Sequence, residues 1–173
     1  MFKNAWFMVF CAAVAILGHG AVCATDRPAE KTAQMLHVDI PLKLSHANVV
    51  LNIDRVALNG DMPVAIGHLN LLVNDFSESN TQGHIVAIFH TDVGHVTLDD
   101  KAYNAARHVE TGNPYKKLVV ALMKRGVQIE LCGATATANK WVNADLLPGV
   151  QVNVDAMGRL AQLVQEGYVQ IKE

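Results

Sequence analysis

Three short runs of β-branched and apolar residues, each separated from the next by helix-length sequence, constrain this chain more than any other feature. They span residues 47–54, 84–90 and 127–131, a length that suits a buried strand and is too short for a helix. After the first run and the turn-prone Asn59-Gly60-Asp61, Ile66, Leu69, Leu72, Val73 and Phe76 recur at three- and four-residue spacing, which predicts an amphipathic helix. Residues 77–83 read as a polar loop. Beyond the second run, helices are expected at about residues 99–108 and 114–125, with Pro114 at a helix start and Gly126 placed to end one. After the third run comes a short segment of small and polar residues closed by Leu146-Leu147-Pro148-Gly149. A fourth strand at 150–154, a helix at 156–168 with Leu160, Leu163 and Val164 inward, and a last strand at 169–171 complete the pattern. Such alternation predicts a three-layer α/β fold, a mostly parallel five-stranded sheet with helices on both faces.

The N-terminus reads differently. Lys3 precedes an apolar stretch over residues 5–17, followed by Gly18, His19 and Gly20, then Val22-Cys23-Ala24 and the polar Thr25-Asp26-Arg27-Pro28. A basic start, a short apolar stretch and small residues in that order make residues 1–24 a signal peptide. The stretch falls short of the roughly 20 residues a spanning helix needs, and Val22 is bulky for the position before a lipidated cysteine. Cleavage after Ala24 leaves 149 of the 173 residues, enough to fold without disulfide staples. The expectation is a periplasmic or secreted protein with no stable membrane insertion once the signal is removed. Residues 25–45 form an N-terminal extension, in which Leu36-His37-Val38-Asp39-Ile40 alternates as one short edge strand before Pro41. The α/β domain occupies residues 46–173. With 14 Lys and Arg against 16 Asp and Glu, the net charge is −2, so nothing global attracts nucleic acid or an anionic membrane.

Parallel sheets place their chemistry at the carboxyl ends of the strands, and His90, Asp92, His95 and Cys132 all fall there. Cys132 is the one cysteine left after cleavage, so it cannot staple the mature chain to itself. Directly after a strand, before Gly133 and a helix starting at Thr135 or Thr137, it would face unpaired backbone N–H groups that favour thiolate. The alternative is a small buried hydrophobe. Seven histidines remain in the mature chain. His90 and His95 flank one loop and stand as general acid/base candidates beside Cys132. With Asp92 and Cys132 they would also make a mixed donor set for a transition metal, although the spacing matches no zinc signature.

Other chemistries lack their motifs. No Gly-x-Gly-x-x-Gly or Walker-type loop follows the first strand, and there is no Gly-x-Ser-x-Gly elbow or Cys-x-x-Cys pair. No organic cofactor is therefore expected. Asp99 and Asp100 read as charges at a helix N-terminus, and Tyr103 and Trp141 as core or interface anchors.

The segment Lys124-Arg125-Gly126-Val127-Gln128-Ile129-Glu130-Leu131-Cys132-Gly133 resembles the DsrE/DsrF-like family: a basic helix end, a Gly-Val turn, a strand and then a cysteine. Asp145-Leu146-Leu147-Pro148-Gly149-Val150 and the ending Leu163-Val164-Gln165-Glu166-Gly167-Tyr168-Val169-Gln170-Ile171 look like the same family's closing region. The resemblance implies a flavodoxin-like sheet, a homo-oligomer, and Cys132 carrying sulfur as a persulfide between a donor and an acceptor protein. His90 stands where relatives often have a histidine after the second strand. Beside sulfur handling, a non-catalytic oligomeric module binding a small ligand or metal in the strand-end cleft, and a purely structural oligomer, remain open readings.

Overall fold

The structure, a computed structural model, describes residues 36–173. The segment expected to be a signal peptide, and residues 25–35 of the expected N-terminal extension, lie outside the described residues. Residues Ile40–Glu173 form one compact unit. Its strands are β1 (Val49–Ile53), β2 (Leu58–Asn59), β3 (Met62–Pro63), β4 (Ile85–Phe89), β5 (Val127–Cys132), β6 (Gln151–Asn153) and β7 (Val169–Lys172). Its helices are α1 (Val64–Glu78), α2 (Asp100–Arg107), α3 (Lys116–Lys124), α4 (Gly133–Ala138) and α5 (Ala156–Gln165), and a 3-10 turn covers Thr91–Thr97.

Five strands form one sheet in the order β6-β5-β4-β1-β7, all neighbours parallel. The expected three-layer α/β architecture is thus present. β1 and β4 are buried along their whole length, as central strands covered on both faces must be. The chain steps from β1 to β4, β5 and β6 in one direction, then crosses back beyond β1 to add β7. Parallel crossovers are right-handed, so reversing direction forces the connecting helix onto the opposite face. The core divides accordingly. Ile66, Leu69 and Phe76 of α1 and Val119 and Leu122 of α3 pack on Leu51, Ala87 and Ile129. Leu160 and Leu163 of α5 pack on Val50, Val86, Ile88 and Cys132 on the other face.

Local chemistry sets the boundaries. The Asp99 side chain caps α2 by accepting the Ala102 N–H at 2.7 Å, so Asp99 and Asp100 do serve a helix start. Gly126 ends α3 at φ +90°. The Asn59-Gly60-Asp61 turn does more than bound the first strand: it joins a hairpin of two-residue strands, β2 to β3. No strand forms at residues 36–40, where Leu36 and Ile40 are exposed. Three alternating apolar residues before Pro41, which has no N–H, offer too little burial and too few ladder bonds to offset ordering.

Candidate functional site

The strand register brings the site together. Ile53, Phe89 and Leu131 lie in one row across β1, β4 and β5, so Asp54, His90 and Cys132 occupy the next row at the carboxyl rim. His90 and Cys132 border a cleft of about 1140 Å³ that also takes in His95, Trp141, Arg55 and Arg107. That is large for a small-molecule site, where roughly 300–1,000 Å³ is usual. It opens beside β6, where the chain reverses direction, the place a parallel sheet leaves a crevice.

Cys132 is the last residue of β5 rather than the first beyond it, and α4 begins immediately at Gly133 instead of Thr135 or Thr137. The N–H that reaches its Sγ comes from a different helix: Ala156, first residue of α5, donates to sulfur at 3.3 Å. The thiol is nearly buried at 5% exposure, yet it lines the cleft. The glycine after it is sterically required. A Cβ on Gly133 would stand 2.4 Å from the Asn153 carbonyl oxygen and 2.8 Å from that of Val154.

His90 and His95 line the same cleft, but neither hydrogen-bonds to Cys132. His90 Nε2 donates to Asn52 Oδ1 at 2.7 Å, a pairing that leaves Nδ1 with the lone pair. His95 Nδ1 donates to the Asp92 carbonyl, and its ring packs against Tyr103 with centroids 5.6 Å apart. Burial holds the His90 imidazole below the usual 6.5, with the Asp54 charge opposing and Lys172 reinforcing. Burial likewise lowers His95, opposed by the hydrogen bond to the Asp92 carbonyl and assisted by the Arg107 charge. Both rings are therefore neutral at pH 7.

These two histidines tie stability to pH. Between each lowered value and 6.5, the folded chain binds fewer protons than the unfolded chain. Their contribution is complete above the unfolded value and is lost as pH falls through the folded one. The urea midpoint should fall between about pH 7 and about pH 5, and fall less in a His90→Gln/His95→Gln variant. Equal slopes would show that these rings are not what acid titrates.

Thr91, directly after His90, adopts φ +52°, an outlier for a β-branched residue. The turn is held by its N–H on Thr135 Oγ1 at 3.0 Å and by its hydroxyl on the Asp54 carbonyl. Trp141 is a cleft wall, whereas Tyr103 is buried in the core beside it. No group of three or more His, Cys, Asp or Glu side chains among the described residues is arranged to hold a metal ion.

A family model described as the DsrE/DsrF-like family matches residues 65–172. The chain belongs to the DsrE/DsrF-like family. Solved structures agree on the DsrE-like fold. The Methanobacterium thermoautotrophicum protein of unknown function MTH1491 is 22% identical with a TM-score of 0.59, and the match covers 73% of this chain and 99% of that one. The ychN protein of E. coli is 14% identical with a TM-score of 0.53 and the same coverage. No curated protein matches by sequence.

The sequence reading missed one cluster beside the cysteine of this DsrE-like domain. Glu130, 2% exposed, accepts from Arg159 Nε at 3.0 Å and Nη2 at 2.9 Å, from Gln128 at 2.7 Å and from Asn153 at 2.9 Å. The signal was visible. Gln128 and Glu130, two apart in an apolar strand, share one face, and a buried carboxylate there demands a cationic partner.

Proposed function

We propose that this DsrE-family protein carries sulfane sulfur as a persulfide on Cys132. One observation carries the reading: Cys132 Sγ lies at the carboxyl rim, on the cleft, with the Ala156 N–H directed at it. In the step proposed, the Cys132 thiolate attacks the outer sulfur of a donor persulfide R–S–SH. A new S–S bond forms, the donor's own S–S bond breaks, and R–S⁻ leaves with the electron pair, so no external oxidant is needed. Neutral His90 or His95 takes the thiol proton beforehand and returns one to the leaving thiolate. The cleft is far wider than a sulfur atom, and Arg55 and Arg107 on its walls suit a donor whose carrying group is anionic. The same reading has the mature protein exported, homo-oligomeric, and exchanging sulfur with a partner protein.

Intact mass of the mature protein, with and without a sulfane-sulfur donor, tests this directly. Wild type should gain one sulfur atom reversibly with reductant, and Cys132→Ser should gain none. No gain on a thiol that still alkylates would sink the carrier model. The width of the cleft then favours a non-catalytic module binding a small ligand.

A further inference from the structure

We infer that the Glu130–Arg159 pair is a positioning device for Cys132, holding the first turn of α5 so that the Ala156 N–H stays on Sγ. The inference rests on the sulfur-handling reading only in giving that position a purpose. Glu130 and Cys132 are two residues apart in β5 and so share the face covered by α5. On α5, Arg159 lies three residues after Ala156, one turn along the same side of the helix. Its guanidinium meets the Glu130 carboxylate through both Nε and Nη2, a fork that fixes orientation as well as distance. A third element is locked by the same carboxylate: Asn153, paired with Cys132 in the β5–β6 register, donates to Oε2. Asn153 is three residues before Ala156, so both ends of the chain entering α5 are tied to Glu130.

The pair is out of proportion to a surface ion pair. Glu130 is almost fully buried, and its attraction raises the hold of Arg159 on its proton against the opposing effect of burial. Elsewhere α5 meets the sheet through its apolar face, Ala156, Leu160 and Leu163, and such contacts are non-directional and leave donor orientation free. A forked, charged contact does not. Releasing it lets the first turn of α5 drift, and the N–H leaves the sulfur.

The test is the pH profile of Cys132 alkylation by iodoacetamide in the full chain, read on the Cys132 peptide by mass spectrometry. Arg159→Met should slow alkylation near neutral pH about two- to fivefold, the range of one helix-terminus charge interaction, and move the profile to higher pH. Arg159→Lys, which keeps the charge without the fork, should fall between, and Glu130→Gln should shift the same way as Arg159→Met. A merely structural role predicts the opposite sign: a loosened thiol alkylates faster at every pH. Faster alkylation, or an unmoved profile in variants that remain folded, would overturn the inference. Iodoacetamide needs no sulfur donor, so the outcomes separate. A shifted profile with no sulfur uptake by wild type removes the carrier reading alone, and normal uptake with an unmoved profile removes the positioning role alone.

Discussion

Replacing Gly133 with alanine is expected to cost about 3 kcal/mol, the upper end of the range for overpacking a filled site. The added carbon would meet backbone oxygens of Asn153 and Val154 at 2.4 and 2.8 Å. Neither can rotate aside as a side-chain end would, so β6 and the entry to α5 must move together. That movement carries Ala156 away from Cys132 Sγ, and the variant should lose urea resistance and thiol reactivity at once. Gly67→Ala supplies the contrast. It lies within α1, where the nearest atom to a new Cβ is 4.0 Å away, and removing a helical glycine should stabilise by about 0.5–1 kcal/mol. Urea midpoints moving in opposite directions would tie the loss to the crowding at Gly133; a fall in both would refer it to glycine replacement in general.

Strand and helix content was legible because period and burial coincide in this chain. β1 and β4 are short apolar runs buried at every position, and α1 buries Ile66, Leu69, Val73 and Phe76 at helical spacing. Short-range polar segments were less so. Residues 91–95 read as loop because His90-Thr91-Asp92 has no apolar period, yet Thr91–Thr97 winds into a 3-10 turn. What anchors it there is tertiary, Thr91 N–H on Thr135 and Asn113 Nδ2 on the Val96 and Leu98 carbonyls, while Thr97 Oγ1 on the Gly94 carbonyl at 2.8 Å closes the turn locally. The alternation at residues 36–40 shows the converse, a local period whose apolar residues Leu36, Val38 and Ile40 are exposed.

Convergence of His90, His95 and Cys132 on one cleft followed from a single rule about strand ends, and the register supplies it. Partners of those residues did not follow. The thiol was matched to the helix next in sequence, α4, whereas its N–H comes from α5, 24 residues further on. Sequence neighbours say which helix follows a strand, but not which helix is folded back across it. The same blindness hid Asn52 behind His90 and Arg159 behind Glu130, pairs separated by 38 and 29 residues. In each case one partner was readable as a buried polar residue in a strand, and its need was visible before its satisfaction.

The second large effect is expected from a double-mutant cycle on Glu130 and Arg159. Arg159→Met alone should cost about 3–5 kcal/mol, because it strands a carboxylate that has almost no access to water. Glu130→Leu alone should cost less: Arg159 is 22% exposed at its side chain, and a long guanidinium can turn its head to solvent. The double variant, apolar on both sides, should recover much of the loss, giving a coupling of about 2 kcal/mol by urea denaturation. It will not recover all of it, since the Gln128 and Asn153 amides lose their acceptor. Stability and reactivity then part company. Leu and Met can fill the space between β5 and α5, but they cannot fix the helix along its axis. The double variant should regain most of the lost urea midpoint while its Cys132 alkylation profile stays displaced to higher pH. A profile that returned with the midpoint would mean that packing alone sets the thiol, and that the charges are ordinary cement. A profile that stays displaced in a stable protein means that this chain keeps a buried ion pair for where it puts one N–H, rather than for the stability it adds.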